Sequence, residues 1–194
     1  SFPSLDGFGP TRATLHAYAR AVNSVVRVHA QPRPNWWHTS LKLKERGLVS
    51  DPLPLPSGNA AAITLNLHDH QIELDDGTGS RRIFSMRQGW TGTRMGEALN
   101  AAIADLGLVG KAVLPRSESG DPVHYDPELA HSFLVALQST QRVFETHLAA
   151  LTGEFSQIQV WPHNFDMSVE WFGTKMIPYD EKGTTTLLPA QLNL

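Results

Sequence analysis

Residues 16–27 read HAYARAVNSVVR and residues 131–142 read HSFLVALQSTQR. Laid over one another at a constant offset, His16, Ala21, Ser24 and Arg27 coincide with His131, Ala136, Ser139 and Arg142, and Tyr18 faces Phe133. Each stretch is followed by an aromatic–histidine string, Trp36-Trp37-His38 and then Trp161-Pro162-His163. Each string is followed by an LNL segment, Leu65-Asn66-Leu67 and Leu192-Asn193-Leu194. This order, given twice, predicts an α+β fold in which antiparallel meanders pack against three helices. It also predicts two pseudo-repeated helix-plus-sheet units inside one domain over 1–194, the first over about 10–120 and the second, incomplete, over about 126–194.

Outward from the repeat, periodicity places the elements. Over 10–29, Leu15, Tyr18, Ala19, Val22, Val25, Val26 and His29 recur at i, i+3, i+4 and i+7, one buried face of a helix. Pro10 suits its first turn, where amides lack partners in any case, and Pro32 and Pro34 end it. A second helix is expected over 93–106, stopped by Gly107. A third opens at Asp126 as cap with Pro127 at N1 and Glu128 on the helix dipole, and runs to Gly153. Its expected core stripe is Leu129, Phe133, Ala136, Leu137, Thr140, Phe144, Leu148 and Leu151.

Between the helices the period falls to two. Leu41 and Leu43 alternate with lysines, Arg46-Gly47 turns the chain, and residues 50–60 form a proline-rich loop. Ile63, Leu65 and Leu67 alternate, then the apolar phase shifts at His68-Asp69 to Ile72 and Leu74, which marks a hairpin. Asp75-Asp76-Gly77 turns again into a strand over 82–86. Later strands are expected over 157–161 and 165–171, a mobile polar tail over 175–186, and a last strand over 187–194.

Composition excludes several classes. The 194 residues are 41% hydrophobic, enough for a core, and the net charge of −3 with only 18% charged residues leaves no basic stripe for nucleic acid. The absence of cysteine removes disulfides, thiolate metal sites and cysteine nucleophiles. No apolar run is long enough to span a membrane. A soluble, cytoplasmic, bacterial-type protein is the expectation, with homo-oligomerisation open. No phosphate loop, nucleophile elbow, dinucleotide fingerprint or His-Glu-x-x-His is present, so no cofactor and no metal is named by motif.

Three strings could carry chemistry. In Asn35-Trp36-Trp37-His38, adjacent tryptophans on a strand face opposite sides, leaving Trp37 to line a groove beside His38; packing of both indoles is the alternative. In His68-Asp69-His70, a turn should bring His70 onto the inner face, either as a ligand-binding group or as a satisfied core histidine. In Trp161-Pro162-His163-Asn164-Phe165-Asp166, the proline should push His163 and Asn164 off the ladder. There His163 could take a proton with Asp166 orienting it, or Asn164 and Asp166 could simply bond local backbone. If the units pair about a pseudo-twofold axis, His38 and His163 share one cleft with Trp37, His70, Asn164 and Asp166.

At these strings the chain resembles an uncharacterised bacterial family, domain of unknown function five-nine-nine-six. The likeness runs along essentially the whole chain. It rests on residues 10–30, Trp36-Trp37-His38, Asp69-His70, Tyr125-Asp126-Pro127, the 161–166 string and the closing 189–194 segment. The resemblance implies a fold and no reaction. It also implies a longer chain, of which this would be a C-terminally truncated member. Two functions compete: a small-molecule site in the Trp/His cleft, with acid–base or metal-assisted chemistry, and a non-catalytic module that docks a protein partner through strand edges.

Overall fold

The apolar stripe of the first helix becomes the centre of the core. In the computed structural model, which describes residues 2–114, 123–181 and 183–194, helix α1 spans Gly9–His29. Leu15, Tyr18, Ala19, Val22, Val25 and Val26 are fully buried along it. Helix α2, Gly92–Asp105, lies so close that a Cβ on Gly92 would stand 2.9 Å from the Ala17 methyl and carbonyl oxygen. Gly107 ends the α2 region with φ +84, as its position predicts.

The main sheet is antiparallel and eight-stranded. Its strands are β1 Leu41–Lys44, β2 Gly47–Val49, β3 Leu53–Pro54, β4 Ala60–Asn66, β5 Gln71–Asp75, β6 Arg81–Ser85, then β8 Gln159–Trp161 and β9 Asp166–Ser168. The order is β6-β5-β4-β2-β1-β8-β9, with β3 pairing β4 off this path. Register pairs Ile63 with Leu74 and Leu65 with Ile72, so one face of the β4–β5 hairpin is wholly apolar and buried. The later hairpin β8–β9 attaches through β8 to β1, so residues from far along the chain complete the sheet that 41–85 begins. The proline-rich loop is tied down too: Leu53 and Leu55 are buried and β3 pairs with β4.

Helix α3, Pro127–Leu148, opens as the sequence predicts. The Asp126 carboxylate accepts from the amides of Glu128 and Leu129, and Thr11 Oγ1 on α1 accepts from the Asp126 amide. Asp126→Ala should cost about 1 kcal/mol as a lost cap. Thermal melting checks this, and an unchanged midpoint would contradict the cap. The expected stripe is corrected: only Ala130, Leu134 and Leu137 are buried, Phe133 and Phe144 are half-buried, and the helix ends at Leu148 rather than near Gly153. Its C-terminal half stands clear of the core, so periodicity there has little to bury against.

The second sheet is β11-β10-β7, from β7 Glu154–Phe155, β10 Glu170–Glu181 and β11 Thr184–Asn193. The expected mobile tail is therefore a long hairpin, paired from Glu170↔Asn193 to Glu181↔Thr184. The first unit's expected end near residue 120 lies outside the described residues.

Candidate functional site

The Trp36-Trp37-His38 string is not a strand. Residues Pro34–Thr39 form a short 3-10 turn in which Asn35 (φ 53, ψ 25) and Trp36 (φ 58, ψ 20) are left-handed. A left-handed tryptophan is strained, because its Cβ crowds the backbone. The turn rotates the two indoles differently from a strand. Trp36 lines an open cleft of about 540 Å³. Trp37 packs edge-on against Phe172, 5.6 Å between ring centres, and its Nε1 is buried with no partner among the described residues.

The second string closes the β8–β9 hairpin. Trp161 pairs with Asp166 across the ladder, which puts both side chains on one face, and residues 162–165 form the loop between them. The Phe165 amide donates to the Trp161 carbonyl at 2.7 Å, and Phe165 takes φ 63. His163 and Asn164 therefore leave the ladder, as Pro162 predicts. The Trp161 indole is fixed by Nε1 donating to Ser168 Oγ at 2.9 Å, and the His163 ring stands edge-on to it at 5.9 Å.

Helix α1 carries the contacts that sequence reading missed. His16 Nε2 bonds the His163 carbonyl at 3.0 Å, and the His16 ring stacks on Phe165 at 5.8 Å. Two turns along α1, Asn23 and Arg27 enter the cleft. The Arg27 guanidinium lies 5.0 Å over the centre of the Trp36 ring. Asn23 Oδ1 is a buried acceptor with no partner among the described residues. Asn23 and Arg27 stand one turn apart among the other polar positions of an amphipathic helix, so nothing local marks them.

The cleft thus joins Asn35, Trp36 and Thr39 from the first string with Trp161, His163, Asn164 and Asp166 from the second. Asn193 reaches it from β11. Glu170 stands opposite Asn193 in the β10–β11 ladder, and burial pushes its carboxyl above the usual carboxylate range. Of the residues expected to converge, His163, Asn164 and Asp166 line this cleft, and Trp36 stands where Trp37 was expected.

His38 and His70 do not line it. His38 is 3% exposed and its Nδ1 accepts from the Arg33 amide at 3.1 Å. His70 is 9% exposed with φ 60, and its Nδ1 lies 3.0 Å from the Tyr125 hydroxyl. Burial, then the charges of Arg87 and His131, hold the His70 imidazole below its ordinary pKa. A histidine whose pKa is lower in the fold than when unfolded leaves stability intact above about pH 6.5, and stability is lost as pH falls from there through the depressed folded value. His70→Asn tolerates the left-handed backbone and cannot charge there. It should flatten the fall in stability between about pH 7 and 5, measured by urea titration at each pH; an unaltered slope would clear His70 of the effect.

Among the described residues, no three or more His, Asp or Glu side chains are grouped to hold a metal ion, and no helix is long and apolar enough to cross a membrane. A second cavity, of about 570 Å³, gathers Arg33, Lys42 and Lys44 around Asp51. Its carboxylate already pairs with Lys42 at 2.6 Å and Arg33 at 3.2 Å. Comparison with curated proteins and with solved structures gives no match. A family model does match, over residues 2–192, and by that near-complete cover the chain belongs to the family of unknown function DUF5996.

Proposed function

We propose that the protein binds a small organic molecule in the cleft between α1, the Trp36 turn and the β8–β9 loop. The observation that carries this is the convergence of both aromatic–histidine strings on one concave, polar surface of about 540 Å³, within the size range of ligand pockets. Backbone strain supports it. Four described non-glycine residues are left-handed, and Asn35, Trp36 and Phe165 frame the cleft. Such conformations cost on the order of 1–3 kcal/mol each and cluster at ligand sites, where the surroundings over-determine them.

Binding leads over catalysis in this reading. His163 and Asp166 are both exposed, whereas acid–base groups are tuned by withdrawal from water. If a proton is transferred, His163 takes it and Asp166 orients it. Trp37 is held against Phe172, and of the two indoles that line the cleft Trp36 already carries Arg27 and the His38 ring against it, so the stacking role passes to Trp161.

The test is ligand-induced thermal shift against a panel of metabolites and divalent metals. A ligand at about a hundredfold over its Kd adds about 2.7 kcal/mol to the folded state. A shift that is lost in His163→Ala supports the cleft. No shift across the panel would count against it.

A second reading has its own observation. The β10–β11 hairpin exposes Met176, Ile177, Leu187 and Leu192, the last two about 60% exposed, and β11 has no charged residue to blunt its edge. Strand addition by a partner would cover them. Dimerisation on size exclusion, with no ligand response, would favour it.

A further inference from the structure

We infer that the ligand of this cleft is a neutral polyhydroxylated molecule of the saccharide class. The inference rests on the cleft reading above and goes beyond it by naming the chemistry that fits.

The lining is neither greasy nor strongly charged. Among the described residues that line the cleft none is aliphatic, so a hydrocarbon-rich ligand finds little there to bury against. Arg27 is matched by Asp166, which would repel an anion that Arg27 attracts. Arg27 is also engaged, its guanidinium lying over Trp36. A cavity with more cations, Arg33, Lys42 and Lys44, lies elsewhere, and Asp51 already neutralises part of its charge.

What remains is a set of amphoteric groups. Asn35, Asn164 and Asn193 each bring a carbonyl acceptor and an NH2 donor, and Thr39 brings a hydroxyl oxygen whose proton goes to the Trp36 carbonyl. A sugar hydroxyl also donates and accepts, so a ring of hydroxyls can satisfy such a lining, whereas a carbonyl or ether ligand would satisfy only its donors.

The apolar part of a pyranose, its C–H face, needs an aromatic counterpart. Two indoles line the cleft, and Trp161 is immobilised by its bond to Ser168, so its orientation is set before a ligand arrives. Among the described residues that line the cleft, Asp166 is the one carboxylate, and the role inferred for the cleft is saccharide recognition.

The test uses 15N-labelled protein, whose five tryptophans give indole N–H signals. Glucose, galactose, mannose, N-acetylglucosamine and trehalose are titrated in turn, with adenosine and benzoate as parallel probes. The expected result is a saturable shift of the Trp36 and Trp161 indoles with at least one saccharide, while Trp90 and Trp171 stay still. Asn164→Ala, an exposed loop substitution that leaves the fold intact, should weaken that binding about tenfold, as expected for one or two lost hydrogen bonds. Shifts with adenosine or benzoate but with no saccharide would leave the cleft standing and overturn the saccharide class. Saccharide binding that is indifferent to Asn164→Ala would overturn the assignment to this lining. No movement of either cleft indole with any probe would overturn both this inference and the cleft reading beneath it.

Discussion

Gly47→Ala is expected to cost about 3 kcal/mol or more, enough to remove much of the stability of a domain of this size. Gly47 begins β2 immediately after the turn from β1, directly opposite Asn66 on β4. A Cβ placed there would stand 1.9 Å from the Leu65 carbonyl oxygen, 2.9 Å from the Leu65 carbonyl carbon and 3.0 Å from the Leu67 amide nitrogen. All three are backbone atoms, so no side chain can swing aside. Relief requires opening the β2–β4 pairing, and β4 carries Ile63 and Leu65 into the core, with Leu67 just beyond it. Urea denaturation measures the loss. Gly9→Ala is the control, because a Cβ there meets nothing within 4 Å, and it should change stability little. A Gly47→Ala protein within about 0.5 kcal/mol of the parent, the range of ordinary surface substitutions, would show that β2 and β4 are not so closely apposed.

Phe133→Ala should cost about 2–3 kcal/mol, below the 3–5 kcal/mol of a fully buried phenylalanine because this ring is only half-buried. The ring still sits at a junction, 4.9 Å from the Phe8 ring and 5.1 Å from the Phe165 ring. Phe165 in turn stacks on His16. This chain of rings joins α3, the N-terminal segment, α1 and the loop that carries His163 and Asn164. A second effect is therefore expected beside the loss of stability. With Phe133 gone, the strained Phe165 loses one of the two rings that hold it, and amide exchange over residues 163–165 should quicken more than exchange in β4. Uniform quickening across the sheet would mean that Phe133 supports only global stability.

The parts of this fold that are legible in the sequence are those where one residue type repeats at one period. The α1 stripe and the β4–β5 phase shift are dense runs of Leu, Ile and Val, and their burial follows directly. The Asp126-Pro127 opening of α3 is local chemistry and needs no tertiary context. The Trp36–His38 segment was misread because two adjacent tryptophans suggest a strand. Pro34-Asn35 before them was the contrary signal, since Pro suits a turn and Asn tolerates the left-handed region. The C-terminal hairpin was hidden because residues 175–186 read as a polar tail. Pro178 and Pro189 fit there because β11 is an edge and β7 covers β10 only at Trp171 and Phe172, so neither proline interrupts a paired central strand. The α3 stripe failed for another reason: periodicity says which face is apolar but not whether anything lies against it.

The candidate site was half legible. Pro162 predicted that His163 and Asn164 leave the ladder, and they do. The convergence of the two aromatic–histidine strings holds for Trp36 and His163 and not for His38, whose ring turns inward to the Arg33 amide. The contribution of α1 was hidden because Asn23 and Arg27 look like solvated positions on an amphipathic helix. His16 likewise gives no local sign that it holds a loop more than a hundred residues away.

That two distant segments wall one cleft is the claim on which the functional reading depends, and the absence of cysteine offers a direct test. Asn35→Cys and Asn164→Cys place one thiol on each string, both at residues that line the cleft. With a short bifunctional thiol reagent, the folded double variant should form an intramolecular cross-link that neither single variant gives and that disappears in urea. Full labelling of both thiols by a monofunctional reagent, with no cross-link in the folded protein, would contradict a shared cleft and the account built on it.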